Sequence, residues 1–334
     1  MSRSRSQTLI TGAYRTGTEY VAQLMGCHPL LSVTMYAVNA LRFVYGRFDP
    51  IADLSRAEAA VRAIADRVRT RYDFTVPVDE VLARLRAAPR VTYGTLYDEV
   101  MCALHLRTPA EHWAEKNQLL WREIPLFLDG MSNGRAVLVL RDPRSVLVSF
   151  KKYTYAPAPA YLGAVFNCWD AMVHADRYAK ELAADRFLVV RYEDAARCPQ
   201  AQAERIWSFL GLSGGADVGD RRRWRDAHGR PWHANSSFHS SGDAQAFDVE
   251  RSIERWREEI TPAELALIEG VCGPLMERFG YTPATGAADW NLATEAIGGD
   301  ALIGAYLRHW QLTGEGIQAF PTDPLDPKNW RDDA

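Results

Sequence analysis

The feature that most constrains this chain is the repeated alternation of a short apolar segment with a helix-forming one. Residues 7–11 read as a strand running into a glycine-bearing turn, and residues 18–27 read as a helix. His28-Pro29 ends that helix, because proline disfavours helical backbone in the residue before it. Residues 135–140, RAVLVL, form a near-continuous apolar run, the pattern of a strand covered on both faces. Pro143 suits the first turn of the next helix, which carries Val146, Leu147 and Phe150, since its missing N–H has no helical partner there. A helix over 161–182, a strand over 186–191 and a helix over 199–210 stopped by Gly211 continue the alternation. Such crossovers predict an α/β fold with a central parallel sheet and helices on both faces.

The 334 residues suffice for one such domain with an insertion. Residues 1–281 are assigned to the domain and 282–334 to a C-terminal extension, punctuated by Pro and Gly and holding one helix near 300–310. Residues 40–112 read mainly as helices. Within them, 55–72 places Ala59, Ile64 and Val68 on one face, and Ser55 with Glu58 predicts a capping box. Residues 224–248 are polar and read as a loop long enough to be functional. Residues 249–279 read as helical, broken at Thr261-Pro262.

A formal charge of -3 argues against a nucleic-acid partner, so any anion site must be built locally. The five cysteines are scattered and form no CxxC pair, which argues against zinc or a disulfide framework and for a reducing compartment. The start, MSRSRSQTLITG, lacks the apolar run of a secretory signal, and no stretch nears the ~20 apolar residues of a membrane span. A cytoplasmic location is the expectation.

Three segments carry chemistry. Residues 10–20, ITGAYRTGTEY, are a strand, a turn and a helix start. A turn of this kind aims backbone N–H groups and the helix dipole at a phosphate. Arg15 adds a charged fork, Gly17 the turn, and Thr16 and Thr18 hydroxyls. The segment lacks GxxxxGK[ST], which disfavours a nucleotide triphosphatase. Residues 138–152 place Arg141 at a strand's carboxyl end, where ligands of open α/β sheets bind, and Ser149 about two helical turns on. The alternative pairs Arg141 with Asp142 or Glu193. Residues 189–194, VVRYED, put Tyr192 at a strand end, suited to a purine or to anchoring in the core.

Taken in order, these segments resemble the sulfotransferases that use 3′-phosphoadenosine 5′-phosphosulfate (PAPS). The family's phosphosulfate loop is matched by Arg15-Thr16-Gly17-Thr18-Glu19 and the following His28-Pro29, and its 3′-phosphate pair by Arg141 and Ser149. Its R-Y-E-D strand end is matched by Arg191 to Asp194, its F-L-G-L by Phe209 to Leu212, and its late F-G-Y by Phe279 to Tyr281. The resemblance implies a P-loop-like phosphosulfate-binding turn, PAPS as donor cosubstrate and a helical insertion forming the acceptor pocket. A packing insert is the alternative for that insertion. It also implies that Lys116, 25 residues before Arg141, neutralises the bridging oxygen as the bond to sulfur breaks. Sulfuryl transfer should have a loose in-line transition state, so positioning and charge do the work, with Arg15 and Lys116 facing the leaving phosphate. No metal is required. His228, His233 and His239 share one loop but make a poor metal set.

The pattern departs at Glu19, where the family has a hydroxyl residue. Its carboxylate either turns from the phosphate or faces the acceptor as a base. The family's base positions are occupied here by Gln118 and by an acid-free stretch over 31–36. The remaining candidates for the base are Glu19, Glu115, His105, His112 and Glu123. Ser236 and Ser237, with Arg230, stand where the family closes a basic loop over the nucleotide. Expected partners are a small-molecule or carbohydrate acceptor and, for assembly, at most a second copy in a homodimer. The rival readings are a non-catalytic nucleotide-binding module and an atypical kinase.

Overall fold

Five parallel strands form one sheet in the order β2-β3-β1-β4-β5. They are β1 (Gln7–Thr11), β2 (Leu31–Thr34), β3 (His112–Lys116), β4 (Gly134–Leu140) and β5 (Phe187–Arg191). The computed structural model describes residues 5–34, 38–105, 112–153, 158–221, 224–225 and 248–319. Side chains alternate across the strands, so each strand feeds two cores. Leu9, Trp113, Ala136 and Leu138 face one core, and Ile10, Ala114, Val137 and Val139 face the other.

The helices are α1 (Thr18–Gly26), α2 (Ala40–Phe43), α3 (Leu54–Tyr72), α4 (Val78–Ala87), α5 (Tyr93–His105), α6 (Ile124–Gly130), α7 (Pro143–Tyr153) and α8 (Gly163–Glu181). They continue with α9 (Tyr192–Arg197), α10 (Pro199–Phe209), α11 (Val249–Glu254), α12 (Trp256–Glu259), α13 (Pro262–Met276), α14 (Trp290–Ile297) and α15 (Ala301–Thr313). The larger core takes Val61 of α3, Val100 of α5, Phe166 of α8 and Leu267 of α13. The smaller takes Val21 and Leu24 of α1 and Ile206 and Trp207 of α10. No helix among the described residues is long and apolar enough to cross a membrane.

Several expectations need correction. Residues 40–105 are helical as expected, in α2 to α5, while the short β2 and the polar β3, HWAEK, flank them as strands that the local pattern did not mark. Helix α3 is capped by Asp53, whose carboxylate accepts from the Ser55 N–H at 2.8 Å, and not by a Ser55–Glu58 box. Glu58 instead pairs with Arg62, one turn on. Ala59 is exposed, and the buried face is Ala57, Ala60, Val61, Ile64 and Val68. Those spacings of three, one, three and four keep a single stripe, whereas Ala59 to Ile64 turns about 140° away from it.

The C-terminal extension carries two helices where one was expected. Trp290 of α14 packs at Gly270 of α13, and α15 lies along α8 through Phe166–Tyr306 and Trp169–Trp310 ring contacts at 5.9 and 5.8 Å. Residues 314–319 then run back past α8. Ile317 N donates to Phe166 O at 3.3 Å, and Ala319 N donates to Asn167 Oδ1 at 2.9 Å.

Candidate functional site

The loop after β1 folds as its glycines dictate. A Cβ at Gly12 would lie 2.5 Å from Val139 O and 2.6 Å from Thr16 Oγ1, so only glycine lets the loop rest on β4. Arg15 at φ 68° and Gly17 at φ 88° then turn the chain into α1. Gly17 is the N-cap of α1 and offers no side chain to cap it. The helix's first amides therefore point from the carboxyl edge of the sheet, the arrangement that holds anions. Thr16 and Thr18 are buried here. The Thr16 hydroxyl donates to Ala13 O at 2.8 Å and so holds the loop closed on itself.

Arg15, Ser149 and Arg141 meet as one unit. Arg15 Nε donates to Ser149 Oγ at 2.9 Å, and Arg141 Nη1 donates to Arg15 O at 2.9 Å. Arg141 Nη2 donates to Ser252 O of α11. The guanidinium of Arg141 is buried, its Nε has no partner, and it forms no ion pair with Asp142 or Glu193. Asp142 pairs with Arg144 at 2.7 Å, and Glu193 accepts from Asp142 N at 2.9 Å and from Tyr281 Oη at 3.0 Å. Burial pushes the Glu193 carboxyl above its ordinary range.

Tyr192 is packing rather than an open stacking surface. Its ring fills the space beside Gly17, where a Cβ would come within 2.3 Å of Cδ2. Arg141 sits 4.4 Å over the ring, Tyr20 meets it edge-on at 5.7 Å, and its hydroxyl donates to Ser252 Oγ at 3.1 Å. No ring face is left for a purine.

Lys116 ends β3, in register with Ile10 of β1. It shares a strand face with Ala114, the face that α1 covers, so it points to the side of the phosphate-type loop. Of the four described lysines, Lys151, Lys152 and Lys180 each pair with a carboxylate. Lys116 has no acid partner among the described residues.

Glu115, one residue earlier, faces the opposite core and is fully buried. Its Oε1 accepts from Asn39 N at 2.8 Å and its Oε2 from the Tyr97 hydroxyl. Burial raises its pKa to about 7, with the Asn39 amide the largest opposing influence. So enclosed, it ties the insertion to the sheet and cannot meet an acceptor.

His112 begins β3, at the amino edge. Its Nδ1 meets Ser6 N at 3.0 Å and Ser6 Oγ at 2.7 Å. His105 ends α5, one turn after Cys102, which accepts from Arg5 Nη1 just before the start of β1. The backbone of His105 thus also lies at the amino edge. His112 stands at the opposite end of β3 from Lys116, which removes it as a base for a reaction at the carboxyl edge, and the side chain of His105 lies outside the described residues. Glu19 lies half-buried in the first turn of α1, where its charge favours the helix dipole. Glu123 stands at the start of α6, in the loop that leaves β3 beyond Lys116. Its Oε2 accepts from Gln318 Nε2 at 2.9 Å. Burial raises its pKa, opposed first by that hydrogen bond. Arg230, Ser236, Ser237 and the three clustered histidines lie outside the described residues.

Contacts invisible in the sequence support this edge. Ser252 holds both Arg141 and Tyr192, from 111 and 60 residues away. Arg144 joins Asp142 to Glu269 at 2.8 Å beneath the Trp256 ring. Arg191 donates to Gly280 O at 3.4 Å and lies over the Tyr281 ring, so the R-Y-E-D and F-G-Y segments grip each other. Tyr14, beside Arg15, stacks on Phe150 at 6.0 Å. Arg42 of α2 and Tyr72 of α3 act on it through space, which brings the insertion to the loop.

Residues 8–215 match the profile of the Sulfotransferase family. Human carbohydrate sulfotransferase 3 is 28% identical over 184 residues, which take in 49% of this chain and 37% of that protein. Human carbohydrate sulfotransferase 6 is 24% identical over 338 residues, which take in 84% of this chain and 82% of that one. The match therefore spans little more than a third of the first of these relatives. The sulfotransferase domain from the Synechococcus PCC 7002 olefin synthase has a TM-score of 0.52 at 16% identity, covering 84% of this chain and 97% of that domain. The sulfotransferase domain from the curacin biosynthetic pathway has a TM-score of 0.51 at 15% identity, covering 84% and 99%. At these identities the likeness is one of fold.

Proposed function

Because this chain belongs to the sulfotransferase family, we propose that it moves a sulfuryl group from PAPS to a hydroxyl of a carbohydrate acceptor. The observation that carries this reading is Lys116, a lysine without an acid partner among the described residues, at the carboxyl end of β3 on the side of an uncapped helix N-terminus. A cation left unneutralised next to an anion-binding turn is suited to charge that develops during a reaction.

The groups present fit the donor. The amides at the start of α1 and the Arg15 guanidinium would hold the 5′-phosphosulfate. Arg141, with a buried Nε lacking any partner, would take the 3′-phosphate alongside Ser149. As the acceptor oxygen bonds to sulfur, the bond from sulfur to the 5′-phosphate oxygen breaks. The charge appearing on that oxygen is met by Lys116, Arg15 and the loop amides. The carbohydrate class of the acceptor rests on the names of the sequence relatives.

Two measurements test this. Thermal shift should show stabilisation by 3′,5′-adenosine bisphosphate, about 2.7 kcal/mol at a hundredfold excess over its Kd, and none by ATP with Mg²⁺. Mass-detected transfer from PAPS should then mark neutral or amino-sugar oligosaccharides. Transfer only to phenols or amines would reassign the acceptor. Binding with no transfer to any class would favour a non-catalytic nucleotide-binding module.

A further inference from the structure

Resting on that reading of transfer, we infer that Glu123 accepts the proton of the acceptor hydroxyl and that Gln318, from the C-terminal segment, positions it. Glu123 lies seven residues beyond Lys116, on a loop moored to the phosphate-type turn. Asn117 N donates to Ile10 O at 2.8 Å, Leu119 N to Gly12 O at 3.0 Å, and Leu120 N to Thr11 Oγ1 at 3.0 Å. Leu119 sits at φ 58°, the turn that redirects the chain toward Glu123.

Gln318 Nε2 bridges the loop, donating to Leu119 O at 2.6 Å and to Glu123 Oε2 at 2.9 Å. Its own segment is pinned by Arg122 Nη2, which donates to Gly316 O at 3.2 Å, and by the bonds of Ile317 and Ala319 to α8. The neighbouring cation does not neutralise Glu123, because Arg122 is committed to Asp170 through Nε and Nη2 at 2.7 and 2.8 Å. Glu123 has no ion pair among the described residues. A neutral amide therefore orients one oxygen and leaves the other able to take a proton.

The charged and titratable groups facing Glu123 are Arg122 beside it, Arg42 of α2 and Tyr178 of α8. The bonds from Asn117, Leu119 and Leu120 to Ile10, Gly12 and Thr11 hold the loop that leads to Glu123 against the phosphate-type turn. Of the other candidates, Glu115 is enclosed and His112 is at the far edge, which leaves Glu19, in the first turn of α1, as the rival carboxylate. In the step proposed, the hydroxyl proton passes to Glu123, the hydroxyl oxygen bonds to sulfur, and the bridging electron pair departs on the 5′-phosphate. Solvent later removes the proton.

The test compares the parent chain with E123Q and Q318L, reading sulfate transfer to the best oligosaccharide and sulfate release from PAPS to water. Bisphosphate Kd is measured in parallel. E123Q should lose about 100-fold or more in kcat, the range of general-base catalysis, with Kd within about twofold. Q318L removes a donor that favours the carboxylate, so the acid limb of its kcat–pH profile should move to higher pH at unchanged Kd. Full activity in E123Q overturns the assignment of Glu123, and an unmoved limb in Q318L overturns the role of Gln318. A parent chain that binds bisphosphate yet neither transfers nor hydrolyses PAPS overturns both this inference and the transfer reading. Absent bisphosphate binding sinks the transfer reading at its nucleotide step and removes the reaction that Glu123 would serve.

Discussion

The proposed phosphate side and the proposed acceptor side of this edge are built differently. On the phosphate side, strand ends and short turns supply most parts, and several of them touch through backbone atoms. Gly12 rests on Val139, Arg141 grips the Arg15 carbonyl, and Gly17 makes room for Tyr192. On the acceptor side, separate stretches meet through side chains: Gln318 bonds Leu119 and Glu123 of the loop after β3, and Arg122 of that loop bonds Gly316. The first design leaves little freedom to vary and suits a ligand that never changes. The second can alter one contributor without disturbing the others, and would suit the acceptor of the proposed reaction.

The sharpest break in this contrast lies between two adjacent residues. Lys116→Ala should lower kcat about 100- to 1000-fold, the usual loss of one charge-stabilising donor, with bisphosphate Kd within about threefold. Steady-state transfer with isothermal titration reads both numbers, and unimpaired turnover would detach Lys116 from the chemistry.

Glu115, its neighbour, should instead govern stability. The folded chain holds the Glu115 proton up to about pH 7, whereas an ordinary glutamic acid releases it near 4.5. Between those values the folded state binds more protons, so stability falls as pH rises through the window and levels off above it. Relative to Glu115→Gln, the parent should lose about 3 kcal/mol between pH 4.5 and 7. Parallel Tm–pH curves for the two proteins would contradict this.

Arg141→Ala should weaken bisphosphate binding about 10- to 100-fold, the worth of a charged hydrogen bond. An unchanged dissociation constant would move the 3′-phosphate elsewhere. The smallest effect belongs to the insertion's surface: Asp53→Ala should cost about 1 kcal/mol through loss of the α3 cap, while Ser55→Ala should cost less. Chemical denaturation orders the pair, and the reverse order would restore the Ser55 cap.

The same contrast explains what the sequence made legible. Strand, turn and helix on the phosphate side are local, so residues 7–11, 18–27 and 135–140 predict elements that end within a residue or so of the observed ones. β3 escaped because His112 and Glu115 are polar yet buried, each satisfied by a distant partner: Ser6 for one, Asn39 and Tyr97 for the other. Tyr192 was legible as an aromatic at a strand end, but its surroundings come from Ser252 and Tyr20, which no local pattern ties to it. Gln318 carries no sequence signal, since its partner Glu123 lies 195 residues away.

The position of β1 has a consequence for biosynthesis. The earliest strand of the chain sits at the centre of the sheet, between partners that begin at His112 and Gly134. Until both have been synthesised, its two edges stay open and the turn it carries has no Val139 to lie against. Under the proposed function, nucleotide capture by a nascent or truncated chain would report that the middle of the sheet has closed, making bisphosphate a gauge of assembly.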